Sequence, residues 1–283
     1  MNYWLWFSTL KGVGSVKKQA VLEKFDKLPE KIFKATKQEL MQIDGIGPKL
    51  AEEMLNNKEL ELINKMENYM KINEIKQVNF YDASYPQQLK NMYDPPITLF
   101  YKGDITLSNT NCISVVGSRN ATKYGLDTSY NLGKEVARNN YTVVSGMARG
   151  IDTKAHQGAL SVENGKTIAV VGCGLDRVYP EENVKLFNEI TERGLVLSEY
   201  VVGAKVEAGN FPARNRIISG LSENLVVVEA TPKSGAMITV GFALEQGKNV
   251  YAVPGNVNSY ASAGTNELIK NGALVYTCIT DIL

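Results

Sequence analysis

The sequence is poor in the side chains that most often carry metal or acid–base chemistry. It holds one histidine, His156, and three scattered cysteines, Cys112, Cys173 and Cys278. One histidine with no cysteine at ligand spacing excludes a structural zinc site of the usual kind. An odd, scattered set of thiols reads as reduced, small apolar residues in a reducing compartment. No apolar run approaches the roughly 20 residues that cross a bilayer, so no membrane partner is expected. The apolar start, Met1 to Ser8, lacks a basic leader and a cleavage site, so it does not read as a signal peptide. Low-complexity tracts, charge blocks and repeat arrays are absent too. A soluble, cytoplasmic protein without metal or cofactor is the expectation.

Charge of one sign is also lacking. Lys and Arg number 31 against 30 Asp and Glu, a net +1, whereas a protein that wraps duplex DNA carries a strong positive field. Any polyanion must therefore be met by a local basic pocket. What remains is ordinary globular material: 283 residues, 44% hydrophobic and 22% charged, enough for a main domain and a smaller one.

Residues 1–75 have helical spacing, with Val16, Ala20 and Lys24 in one run and Ala51, Met54 and Leu55 in another. Two glycine hairpins interrupt them, Leu10-Lys11-Gly12-Val13-Gly14 and Ile43-Asp44-Gly45-Ile46-Gly47-Pro48-Lys49. They resemble helix-hairpin-helix turns, whose glycines let backbone amides approach a phosphate. A plain helical bundle or a protein-interaction module accounts for them equally well.

Residues 76–105 are rich in turn signals and read as a connector, with a short strand over Thr98–Tyr101. From Asn111 the rhythm becomes strand, loop, helix. Apolar, β-branched runs at Cys112–Val116, Tyr141–Val144, Thr167–Val171, Leu195–Leu197, Leu225–Val228, Asn249–Val253 and Ala273–Tyr276 predict strands buried on both faces. The helix after the first is expected to bury Leu126, Tyr130, Gly133 and Ala137. Residues 76–283 thus predict an extended Rossmann-like, doubly wound α/β domain with a mostly parallel sheet, behind a small helical N-terminal domain.

Ligands of such sheets bind beyond the carboxyl ends of the strands. After the first strand stands Gly117-Ser118-Arg119, whose guanidinium suits a phosphate oxygen pair. After the second come Ser145-Gly146-Met147-Ala148-Arg149-Gly150-Ile151-Asp152, small residues whose amides can form an anion nest. An Arg149–Asp152 pair that merely braces the loop is the competing reading, and His156, one turn on, is expected to bond Asp152 structurally. Lys185 near the helix after the third strand is a further phosphate candidate, opposed by neighbouring Glu181 and Glu182. Phe211-Pro212-Ala213-Arg214-Asn215-Arg216 places two arginines in an expected first helical turn, where the macrodipole disfavours cations unless an anion binds. Phe211 and Tyr179 stand as base-stacking candidates, Phe211 equally as core. Ser234-Gly235 opens another helix with free amides.

Taken together, these loops resemble the DprA (Smf) family of DNA processing proteins. The likeness continues through Gly174-Leu175-Asp176, Tyr179-Pro180, Arg216-Ile217-Ile218, Pro254-Gly255, Gly264-Thr265-Asn266 and Gly272-Ala273. It implies a homodimeric, non-catalytic protein that protects incoming single-stranded DNA during natural transformation and loads the RecA recombinase. The implied pocket is formed by Ser118, Arg119, Ser145, Gly146, Lys185, Arg214, Asn215, Arg216, Ser234 and Gly235. Many relatives carry a C-terminal winged helix, which is expected to be missing here, since the sequence ends at Leu283. The competing expectation is a nucleoside-monophosphate-hydrolysing enzyme, faintly echoed by Ser234 and Glu245. No paired carboxylate and no nucleophile beside a base accompanies that echo.

Overall fold

A strand whose side chains are apolar on both alternating faces must be covered on both sides. The computed structural model, which describes residues 1–283, does this for β3 (Cys112–Val116), β4 (Thr142–Ser145) and β6 (Leu195–Ser198), buried throughout. Each of β5 (Lys166–Val171), β7 (Asn224–Val227) and β8 (Asn249–Ala252) begins with one solvent-touching residue and is buried beyond it. With β1 (Lys76–Asn79), β2 (Thr98–Gly103) and β9 (Leu274–Val275) they form one sheet in the order β1-β2-β6-β5-β4-β3-β7-β8-β9. β1 and β2 join antiparallel at the β6 edge, and every other neighbour is parallel. The chain winds outward from β3 through β4, β5 and β6, then returns to place β7 on the other side of β3. The switch point, where a crevice must open, is between β3 and β7.

Helices cover both faces. Ile113 and Val115 point into the layer that includes Leu132 and Val136 of α7 (Lys123–Arg138) and Ala155 of α8 (Ile151–Leu160). Cys112 and Val116 point into the opposite layer, with Ile217 and Ile218 of α10 (Asn210–Gly220) and Val240 of α11 (Ala236–Glu245). α9 (Val184–Arg193) packs Leu186, Phe187 and Ile190 beside β5 and β6, and α12 (Ala263–Lys270) precedes β9. The buried stripe of α7 is Gly125, Ser129, Leu132, Gly133, Val136 and Ala137; Leu126 and Tyr130 are only half-buried at its margin. Close approach of α8 moves the stripe, since a Cβ on Gly133 would stand 2.2 Å from the Ala155 carbonyl oxygen.

The connector yields more strand than expected, because β1 and a longer β2 extend the sheet rather than drape over it. The last strand shrinks to Leu274–Val275, both exposed. Upstream, α1 (Tyr3–Thr9), α2 (Ser15–Lys24), α3 (Pro29–Lys34), α4 (Lys37–Met41), α5 (Pro48–Asn56) and α6 (Leu60–Ile72) enclose Leu5, Trp6, Phe7, Leu22, Ile32, Leu40 and Met54. Gly12 and Gly45 turn the two hairpins at φ +73° and +77°, and Gly14 and Gly47 cap α2 and α5. This helical core is continuous with Met147, Val171, Phe187 and Val202 of the α/β part. No helix is long and apolar enough to cross a membrane.

Candidate nucleic-acid interface

An open cleft of about 640 Å³ lies at the switch point, walled by Val116–Asn120 after β3, Phe211, Pro212, Arg214 and Asn215 of α10, and Ser234–Ala236 at the start of α11. Arg119 stands exposed at its mouth with no carboxylate within ion-pair distance, so its guanidinium is free for an incoming anion. Its backbone is not loose. Ser118 N–H donates to Glu229 O at 2.7 Å, Ile151 N–H donates to Ser118 O at 3.2 Å, and Asn120 N–H donates to Ser118 Oγ at 3.1 Å. The guanidinium carbon sits 5.3 Å from the Phe211 ring centroid, and Tyr179 packs tilted on Phe211 at 5.3 Å. A cation over an aromatic face gains some attraction while its N–H edge stays available.

Arg214 lines the cleft from beneath. It is 4% exposed; Nη1 donates to Gly146 O at 2.7 Å and to Val170 O, and Nε to Asn215 Oδ1 at 3.2 Å. Burial pulls its pKa down to about 10, against the opposing pull of the Asp152 carboxylate. Burial likewise pushes Asp152 up to about 6, opposed by Arg214, the amides of Ala148 and Gly146, and Arg119. Asp152 Oδ2 accepts from Gly146 N at 3.2 Å and Ala148 N at 3.3 Å. The anion nest expected at Ser145–Gly150 therefore exists, but a resident carboxylate fills it.

Several expected residues are not brought to the cleft. Arg216 is 7% exposed on its side chain; Nε donates to Asp94 at 2.9 Å and Nη2 to Glu199 at 2.8 Å, with Ser15 Oγ at 3.4 Å. It ties α10 to the connector and to the helical N-terminal region. Because α10 begins at Asn210, Arg214 and Arg216 lie past the first turn, and the expected macrodipole penalty is correspondingly small. Ser145 is fully buried, its Oγ donating to Val115 O at 2.6 Å. Lys185 is exposed on the first turn of α9 and lines no part of the cleft. Arg149 pairs bidentately with Glu182, both bonds 2.9 Å, not with Asp152. His156 shares a 2.7 Å hydrogen bond through Nδ1 with Thr167 Oγ1, not with Asp152, and burial holds it near pKa 3. Ser118, Arg119, Gly146, Arg214, Asn215, Ser234 and Gly235 do converge, Gly146 on the adjoining, more enclosed part of the cleft.

Sequence reasoning missed Glu229. It is 1% exposed and accepts from Thr122 N and Thr122 Oγ1, both at 2.7 Å. The available signal was a lone acid directly after the apolar run Leu225–Val228. Glu245 stands exposed at the far end of α11, away from the cleft, so it and Ser234 form no common site.

A doubly wound sheet with an unpaired arginine, an aromatic pair and a helix start around one switch-point crevice defines a Rossmann-like protein. Comparison with known proteins is more specific. The family model for DNA recombination-mediator protein A matches residues 76–283, and the SAM-like helix-hairpin-helix tandem model matches residues 7–57. The chain belongs to the DNA recombination-mediator protein A family, known as DprA or Smf. It is 39% identical to Protein Smf of Synechocystis sp. over 282 residues, 96% of this chain and 69% of that protein. It is 44% identical to DNA processing protein DprA of Streptococcus pneumoniae over 202 residues, 71% of each chain. The X-ray structure of S. pneumoniae DprA superposes with a TM-score of 0.88 at 35% identity, covering 100% of this chain and 96% of that one. A Helicobacter pylori DprA structure, described for its single-stranded DNA binding mode, gives 0.67 at 33% identity, covering 74% and 93%.

Proposed function

We propose that this protein binds single-stranded DNA through its phosphates in the switch-point cleft and takes part in natural transformation as a cytoplasmic, non-catalytic recombination mediator. The observation that carries the reading is Arg119: an exposed guanidinium without an acidic partner, on a loop pinned by two backbone–backbone hydrogen bonds and one from the Asn120 amide to Ser118 Oγ, beside an aromatic pair. A single strand offers phosphates for the arginine and bare bases for Phe211 and Tyr179, whereas a duplex hides its bases. The start of α11 brings exposed Gly235 to the same cleft, but its first amides are already engaged: Ala236 N donates to Ser234 Oγ at 3.2 Å, Met237 N to Ser234 O at 3.0 Å and Ile238 N to Gly235 O at 3.2 Å. The likeness to the H. pylori protein supports the same ligand. Shielding of the strand, delivery to RecA and action as a homodimer complete the proposal.

Filter binding of matched single- and double-stranded oligonucleotides across a salt series tests it. Tighter binding of the single strand, weakening linearly in the logarithm of salt, is expected; equal affinity or salt-independent binding contradicts it. Delivery to RecA predicts faster RecA assembly on strands carrying this protein, and the dimer predicts a halved mass by light scattering for Leu268→Arg. Turnover of a nucleoside monophosphate would contradict the non-catalytic reading.

A further inference from the structure

The first crossover helix of a doubly wound sheet ordinarily offers its N-terminal amides to a ligand phosphate. In this protein α7 is that helix, and a carboxylate already stands at its N-cap residue, Thr122. Glu229, just past β7 and directly across the switch point, places its carboxylate there: Oε2 accepts from Thr122 N and Oε1 from Thr122 Oγ1, each at 2.7 Å. Thr122 Oγ1 in turn accepts from Gly125 N at 3.3 Å, so the cap and the carboxylate form one relay. Gly125 makes room for it, because a Cβ there would lie 2.6 Å from Glu229 Oε2. Glu229 is 1% exposed and forms no salt bridge, so the helix start and the threonine are what compensate its charge.

The crevice is thereby divided. On one side stand Arg119 and Arg214. On the other a polar recess of about 490 Å³ is lined by Thr122, Tyr124, Glu229, Asn256, Ser259 and Ser262, without a lysine or arginine. A phosphate entering that recess meets a carboxylate and no cation.

We propose that Glu229 is a resident anion that takes the phosphate seat at the start of α7, and so determines specificity by denying that seat to a nucleotide's phosphate. A ligand then gains its electrostatic contacts only from the arginine side, which favours a chain of phosphates over a single terminal one. This goes beyond the single-stranded DNA reading and does not depend on it.

The test uses the full chain in an Arg119→Ala background, so that the exposed arginine does not respond. Melting temperature is followed with inorganic phosphate against chloride at constant ionic strength, for the parent, Glu229→Ala and Glu229→Gln. Removing the carboxylate should open the seat: Glu229→Ala gains a saturable, phosphate-dependent rise with a midpoint roughly tenfold lower than the parent's. Glu229→Gln, whose amide fills the same space, should respond as the parent does. A Glu229→Ala protein that responds no better than the parent overturns the proposal. Should Glu229→Ala not fold in chloride, recovery on refolding in phosphate supports the proposal, and failure in both salts overturns it.

Discussion

Arg214 and Arg216, two residues apart on α10, lie in opposite surroundings. Arg214 donates to the Gly146 carbonyl at 2.7 Å under the cleft, whereas Arg216 donates to Asp94 at 2.9 Å and Glu199 at 2.8 Å on the far side. Successive helical residues are offset by about 100°, so positions i and i+2 never share a face. One short motif thus serves the floor of the cleft and the packing of the N-terminal region at once.

Arg216→Ala should therefore act on stability and not on DNA. Removing a buried cation leaves Glu199 and Asp94 unpaired, at a cost of about 3 kcal/mol. Urea unfolding should show that loss, while the salt dependence of strand binding by the folded fraction stays that of the wild type. Unchanged stability with a flatter salt slope would place Arg216 against phosphate after all.

Gly150→Ala should weaken binding without altering charge. Gly150 adopts φ +74°, and a Cβ there would lie 2.4 Å from Ser118 O and 2.7 Å from Arg119 O. The Ser118–Arg119 turn must shift, with a stability cost of about 1–3 kcal/mol. Affinity for single strands should fall alongside, read by fluorescence anisotropy on folded protein. Retained affinity would show that the position of Arg119 is unimportant.

Phe211→Ala removes the ring 5.3 Å from the Arg119 guanidinium and the partner of Tyr179. A loss of about 1 kcal/mol, roughly fivefold in affinity, is expected in the same assay, with little change in salt slope.

Two buried groups give stability an unusual pH response. Burial pushes Asp152 up to about 6 and His156 down to about 3. Between about pH 4 and 6 the folded protein keeps an Asp152 proton that the unfolded chain has released, so this group makes stability fall as pH rises. His156 acts the other way: the unfolded chain gains a proton below about 6.5 that the folded protein refuses, so stability is lost as pH falls. The opposing slopes nearly cancel. In His156→Gln, unfolding free energy should fall on the order of 1 kcal/mol from about pH 4.5 to 6, and in Asp152→Asn it should rise by a similar amount. Parallel pH profiles for wild type and both variants would contradict this assignment.

The parallel strands were legible because a run such as Ile113–Val116 has no polar face, which leaves burial on both sides as the only solution. β1 escaped notice because Lys76-Gln77-Val78-Asn79 is short, half-polar and paired at an edge. Arg119 was legible since its loop immediately follows a strand. The roles of Arg214 and Arg216 were not, because the helix start at Asn210, and hence which way each side chain turns, is set by tertiary packing. Ser145 and Glu229 failed for a related reason: their partners, Val115 and Thr122, are remote in sequence. A resident carboxylate in a nest or at a helix start cannot be told in sequence from a free seat.

The most direct measurement is the slope of log affinity against log salt for a single-stranded oligonucleotide, wild type against Arg119→Ala. Loss of one phosphate contact predicts weaker binding, about equally across base sequences, and a slope shallower by roughly 0.7. The same affinity and slope in both proteins would contradict the account.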